Sequence, residues 1–241
     1  MEPMCKVTYD NGQINYVAPI IGTADINEVV KNDQSYGKMV PRNGKYFTWK
    51  LLGAHDEELS EKQFLRAITL AWQHWEKRVD FPIQMARKDE IPDFKVLVRT
   101  VDTDERGELT NSTIMYHYFP INNFDHKLRG LCVVNSGFYY TVHGRSVSMH
   151  EIDPVNYPND TNAMGRTIDI DQVFIHEFGH GIGLPHDPEG GNVMSSNYGI
   201  MADFPTERDV YRAVVKYGVP KQKPRWFSRW WNYLRHRPDR Y

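Results

Sequence analysis

HEFGHGIGLPHD, residues 176–187, decides how this chain folds and where its chemistry lies. On a helix, His176 and His180 are one turn apart and project from the same face, so both imidazoles can share a tetrahedral ion at ~2.0–2.1 Å. Glu177 sits beside the first ligand and reaches a water at the ion without binding the ion. Gly183 lets the backbone turn sharply, after which Pro185 and His186 bring a third imidazole to the same place. Three neutral nitrogen ligands leave the fourth position to water, which marks a catalytic rather than a structural zinc site. Zinc lowers the pKa of that water towards ~7. Glu177 can then take its proton as it attacks a polarised carbonyl carbon and pass the proton to the leaving amine. HExxH alone arises by chance on amphipathic helices; the extended pattern HExxHxxGxxH, ending at the required glycine, is far more specific.

Working outward, a helix should start near Thr167 or Asp169, carry Val173, Phe174, His176, Glu177 and His180, and end where Gly181 and Gly183 break it. Another begins at Thr206, a good N-cap, and runs through Val210, Ala213 and Val214 to Gly218. Upstream, residues 60–78 place Phe64, Ile68, Ala71, Trp72 and Trp75 on one helical face behind a Ser60/Gln63 capping box. Strand patterns fall at 45–53, 81–86, 94–101, 112–120 and 131–135, separated by Pro, Asp and Gly. Residues 1–44 carry turn signals at Asp10-Asn11-Gly12 and Pro41–Gly44, which suggest a hairpin followed by an irregular lead-in. The stretch 141–166 has no clear period and reads as a long loop; its His143 and His150 receive no role.

The bulk numbers fit one sizeable domain with tails. Of 241 residues, 40% are hydrophobic and 25% charged, which excludes a disordered or fibrous chain. A net charge of -2 gives no global pull towards nucleic acid or acidic membranes. With Cys5 and Cys132 as the two cysteines, neither a disulfide framework nor an all-cysteine zinc site can be built. The acidic, apolar-poor N-terminus is not a secretory signal and no stretch reaches the ~18 apolar residues of a membrane span, so a cytoplasmic location, or export by another route, is the expectation.

With the extended zinc motif goes GNVMSSNY, residues 191–198, where Met194 lies eight residues beyond His186 and Tyr198 follows four later; Met201 sits further off. In these features the sequence resembles the metzincin metallopeptidases, and among them the matrixins. FLRAITLAWQHWEKRVDFPI, PDFKVLV, STIMYHYFP and TERDVYRAVVKYG are similar to the matrixin first helix and second strand, third strand, edge strand and last helix, the last following D-[DI]-x-G-I-Q-x-L-Y-G. The resemblance covers about residues 45–219, leaving 1–44 as an N-terminal extension and 220–241 as a tail.

The resemblance implies an α+β zincin fold. Its sheet is twisted, five-stranded and mostly parallel with an antiparallel edge strand; two long helices lie behind it, and a third sits in a small C-terminal subdomain. It implies a zinc endopeptidase acting on an extended polypeptide, with one catalytic zinc on His176, His180 and His186 and Glu177 as the base. Met194, Gly183 and Asp209 would support the site, Asp209 by hydrogen bonding to the methionine turn. Tyr198 would line the primary specificity pocket, and Met115 and Tyr116 would meet the substrate on the edge strand by strand addition.

Four departures qualify this picture. Asp187 stands where matrixins usually have serine. His117 matches one ligand of the matrixin structural zinc, but RGLCVVNSG lacks the later ligands, so no structural zinc is expected. The loop DTDERGE, residues 102–108, has incomplete calcium-ligand spacing and reads as a solvated loop, leaving Ca2+ without clear ligands. EPMCKV does not match the matrixin cysteine switch, and Cys5 reads as a free thiol.

In PRWFSRWWNYLRHRPDRY, Trp226, Phe227, Trp230, Trp231 and Leu234 fall at helical spacing among arginines. That basic amphipathic tail suits an anionic membrane surface, a protein partner or nucleic acid, or packs on the catalytic domain. A reading of another class, a zinc-binding structural or assembly protein on a protease-like scaffold, needs the ligands but not the base. The intact Glu177 argues against it.

Overall fold

The computed structural model describes residues 4–8, 26–53, 61–111, 113–138, 140–142, 145–146, 168–196 and 201–219. Outside these lie Ser60, Thr167, the Asp10–Gly12 turn, His143, His150, Tyr198 and the tail from Pro220.

The main sheet is built from β1 (Met4–Thr8), β2 (Phe47–Leu51), β3 (Ile83–Met85), β4 (Phe94–Arg99), β5 (Thr113–Tyr118) and β6 (Leu131–Asn135), in the order β1-β5-β6-β4-β2-β3. Strands β3, β2, β4 and β6 run parallel and β5 antiparallel, which is the five-stranded mixed sheet that the sequence implied. A sixth strand is added outside it. The outer edge of β5 is taken by β1, antiparallel, with Val7 opposite Met115 and Lys6 opposite Tyr116.

Helices α2 (Glu61–Glu76) and α3 (Ile170–Gly181) pack together on one face of the sheet, and α4 (Glu207–Tyr217) follows the irregular segment that carries His186. The periodicity of α2 explains its seat, since Phe64, Ala67, Ile68, Ala71, Trp72 and Trp75 form the stripe that is buried. Strand β4 alternates strictly, with Phe94, Val96 and Val98 turned into the core and Lys95, Leu97 and Arg99 away from it. The two layers meet in an aromatic stack: Trp72 lies flat on Phe178 of α3, centroids 4.0 Å apart, and within 4.7 Å of Phe94. Trp75 anchors the same contact by donating its indole N–H to the Ile175 carbonyl at 2.8 Å.

Two expectations are corrected. Residues 26–35, read as irregular lead-in, form helix α1 (Ile26–Ser35), while the hairpin expected around Asp10–Gly12 falls outside the described residues. Helix α1 buries only Ile26 and Val29 among its apolar residues, too few for a periodic signal, and what fixes it is tertiary: the buried Asp33 meets Arg212 of α4. At the start of the stretch 141–166 read as a loop, β7 (Tyr140–Val142) pairs with β8 (Arg145–Ser146) and, beyond that stretch, with β9 (Ile168–Asp169), a small sheet that leads directly into α3. Among the described residues no helix is long and apolar enough to cross a membrane.

Because Trp72 joins both helices and the sheet, Trp72→Ala should destabilise the protein by about 3–5 kcal/mol, measured by urea unfolding at fixed zinc concentration. Met85→Ala, at a residue 55% exposed, should stay within about 0.5 kcal/mol. A similar cost for both would place the core elsewhere.

Candidate metal centre

Asp169 caps α3, its carboxylate accepting from the N–H groups of Asp171 and Gln172, so the helix starts two turns before its first histidine. His176 and His180 then share a face, and the chain leaves the helix through Gly183, whose φ of 91° is one that a side-chain-bearing residue rarely adopts. The turn is closed by the Gly183 N–H on the His180 carbonyl (2.8 Å) and the Leu184 N–H on that of Gly179 (2.9 Å). His186 thereby reaches the other two, and one ligand atom of each histidine lies within 4.8 Å of the rest.

The tautomers follow from the partners. A carbonyl only accepts, so Nδ1–H of His176 donates to Val193 (2.6 Å) and Nδ1–H of His180 donates to Leu184 (2.6 Å). Each Nε2 is left with its lone pair, facing the other histidines: His176 to His180 is 2.9 Å and His176 to His186 is 3.3 Å. Three nitrogens at ~2.0–2.1 Å from a tetrahedral ion lie roughly 3.3 Å from one another. The donor set fits zinc both in spacing and in protonation. Burial, then the neighbouring histidine and Arg212, push His176 down to about 3. Burial and Arg212 bring His186 to about 4, and His180 falls well below its ordinary value for want of solvent.

Glu177 follows His176 on α3 and is fully buried. Its charge reaches Cys132 on β6, where burial first and Glu177 second raise the thiol well above its usual range, so Cys132 stays protonated.

Met194, next to the Val193 carbonyl that His176 bonds, is also fully buried. It fits because residue 179 is glycine: a Cβ there would collide with the Met194 sulfur and crowd Trp75. The methionine turn hangs on one carboxylate. Asp209 accepts from the N–H of Val193 (3.0 Å) and Met194 (3.3 Å) while closing the capping box of α4 with Thr206. Met201 is placed differently, its carbonyl taking the Gln172 side-chain N–H at 3.0 Å.

The structure therefore brings together His176, Glu177, His180, His186, Gly183, Met194 and Asp209. Met115 and Tyr116 lie on β5, buried, with β1 along their outer edge. His117 points into the core between Phe94 and Phe178, donating Nδ1–H to Tyr118 at 2.7 Å, and burial lowers it to about 4. In the acidic loop, the Asp104 carboxylate is engaged by the N–H groups of Glu108 and Leu109 and by the Tyr116 hydroxyl.

Sequence reasoning missed the charges around His186. Asp187 accepts from Arg208 Nε at 2.7 Å and lies 3.2 Å from Arg212, which also grips Asp33. The signals were Asp187 itself, out of pattern, and two arginines one turn apart on an otherwise amphipathic helix.

These histidines set a pH dependence. Their folded values lie below the ordinary 6.5, so between about pH 6.5 and 4 the unfolded chain binds protons that the folded one refuses. Stability is complete above 6.5 and lost as pH falls. The urea midpoint of the zinc-free protein should drop steadily from pH 7 to pH 4; a flat profile would contradict the buried neutral imidazoles.

No curated protein matches the chain closely enough to be compared. The matrixin family model does match, over residues 42–216, from just before β2 to the last turn of α4 and across the whole metal centre. That span is well over half of the 241 residues, and the chain belongs to the matrixin family.

Proposed function

We propose that the protein is a zinc endopeptidase that hydrolyses peptide bonds of an extended polypeptide, with Glu177 carrying the proton. The observation that supports this most directly is the set of three neutral imidazoles whose Nε2 atoms converge beside a fully buried carboxylate. Zinc on those nitrogens supplies a Lewis acid for the scissile carbonyl and a water of lowered pKa. The chain does the rest. Glu177 takes the proton as water adds to the carbonyl carbon and returns it to the leaving nitrogen, while α3 fixes its distance from the ligands by placing it next to His176.

The substrate enters as a strand on the outer edge of β5. Because Met115 and Tyr116 are buried, what they offer is backbone N–H and C=O rather than side chains. The matrixin resemblance assigns to Tyr198 a preference for a bulky apolar residue just after the scissile bond. In the resting chain Met4–Thr8 lie along that edge, so substrate takes the place of β1. The catalytic unit ends near Val219, and the basic aromatic tail serves localisation or partner binding.

The purified protein should cleave casein, lose activity to a chelator and regain it with zinc. Glu177→Ala should keep its zinc and lose about 10²–10⁴-fold in kcat, whereas Met194→Leu should be mild. Zinc at one per chain without cleavage of any broad peptide library would favour a scaffold, and Glu177→Ala activity within tenfold of wild type would remove Glu177 from the mechanism. A chain lacking residues 1–8 should show a lower KM at unchanged kcat. An unchanged KM would put the substrate somewhere other than β5.

A further inference from the structure

Two of the three ligands are placed by α3, but His186 sits on irregular backbone beyond Gly183, where no helix sets its position. Its neighbours on both sides are held by one side chain. Arg212 of α4, fully buried, donates from Nη2 to the Pro185 carbonyl at 2.7 Å and pairs through Nη1 with Asp187 at 3.2 Å. The guanidinium is in turn oriented by Asp33 of α1, in a two-pronged contact: Nε to Oδ2 at 2.8 Å and Nη2 to Oδ1 at 2.7 Å. Asp33 and Asp187 are as buried as the arginine. Burial alone would lower the Arg212 pKa; the bonds and charges of Asp33 and Asp187 outweigh it and raise it.

Two parallel ties join the same parts. Lys216 Nζ donates to the carbonyls of Asp33 (2.6 Å), Gly37 (2.6 Å) and Gly183 (2.7 Å). The Met39 N–H donates to the Tyr217 hydroxyl (2.9 Å), which donates to the Ile182 carbonyl (3.0 Å). Thus α4 is clamped between residues 33–39 on one side and 182–187 on the other. Asp33 lies upstream of the matched family region, Asp187 replaces the usual serine, and Arg212 stands where the quoted helix pattern has glycine. The three belong together in this chain rather than to the family pattern.

We propose that Asp33, Arg212 and Asp187 are positioning residues for the metal site, and that α1 acts through Arg212 to hold His186 in register with His176 and His180. The inference rests on metal binding at those histidines. A planar fork engaged by carboxylates on both sides fixes direction as well as distance, which a lone lysine or a hydrophobic contact would not. Outer partners of this kind typically change metal affinity 10–100-fold when altered.

The test uses the full chain and near-isosteric changes. Zinc affinity is measured by competition with a chromogenic chelator, and ligand geometry by the visible spectrum of the Co2+-substituted protein. Asp33→Asn should weaken zinc binding about tenfold or more and alter the Co2+ bands, and Asp33→Glu should restore much of both. In an Arg212→Met background, Asp33→Asn should have no further effect. Asp104→Asn, which weakens the carboxylate held by the Glu108 and Leu109 N–H groups and has no bond to residues 33–39 or to α4, should lower thermal stability without moving zinc affinity or spectrum. If Asp33→Asn behaves like Asp104→Asn, α1 contributes stability alone and the proposal falls. Equal losses in the wild-type and Arg212→Met backgrounds would also overturn it. Failure of the wild-type chain to bind zinc would sink the metal reading and this one together.

Discussion

Everything at this site depends on where two ring protons go. His176 and His180 each give Nδ1–H to a carbonyl of the segment that follows their helix, Val193 and Leu184. That choice keeps the imidazoles neutral, points the Nε2 lone pairs at one spot and ties the returning loop to α3 in the same act. Remove the loop and the tautomers are undefined; remove the histidines and two buried carbonyls lose their donors. Ligand geometry and loop geometry are one constraint.

Around that constraint, small residues and buried charges divide the work. Gly179 admits the Met194 side chain against α3, and Gly183 allows the reversal that His186 requires. Asp209 then links the methionine turn to the first turn of α4, and Arg212, three residues on, links the loop of His186 to α1. Helix α4 is thus the element through which the sequence-distant parts of the site are referred to each other. Buried ion pairs are expensive to desolvate, and here each carboxylate and guanidinium has several partners, the condition under which such groups hold a single geometry.

Most of this was legible in the chain itself where the signal was local. The ligands, Gly183 and Glu177 follow from spacing on a helix, and the Thr206 and Gly218 boundaries of α4 follow from capping chemistry. Strands β2 to β6 follow from alternation and turn residues, with β6 at its expected limits and the ends of the others expected up to two residues beyond the paired segments. What escaped is tertiary. Helix α1 is short and puts only two apolar side chains into the core, held by Asp33 reaching an arginine 179 residues away, and no window of sequence displays such a pair. Strand β1 likewise owes its existence to the free edge of β5 rather than to its own pattern. Pairing along β7, β8 and β9 was hidden because strands of two or three residues carry too little periodicity to be recognised.

The central claim is that one zinc ion is held by His176, His180 and His186 with a fourth position left open, and X-ray absorption at the zinc edge tests it most directly. The account predicts one zinc per chain with three imidazole nitrogens and one further light scatterer at ~2.0–2.1 Å. A sulfur scatterer at ~2.3 Å, or four imidazoles, would describe a closed structural site and contradict it.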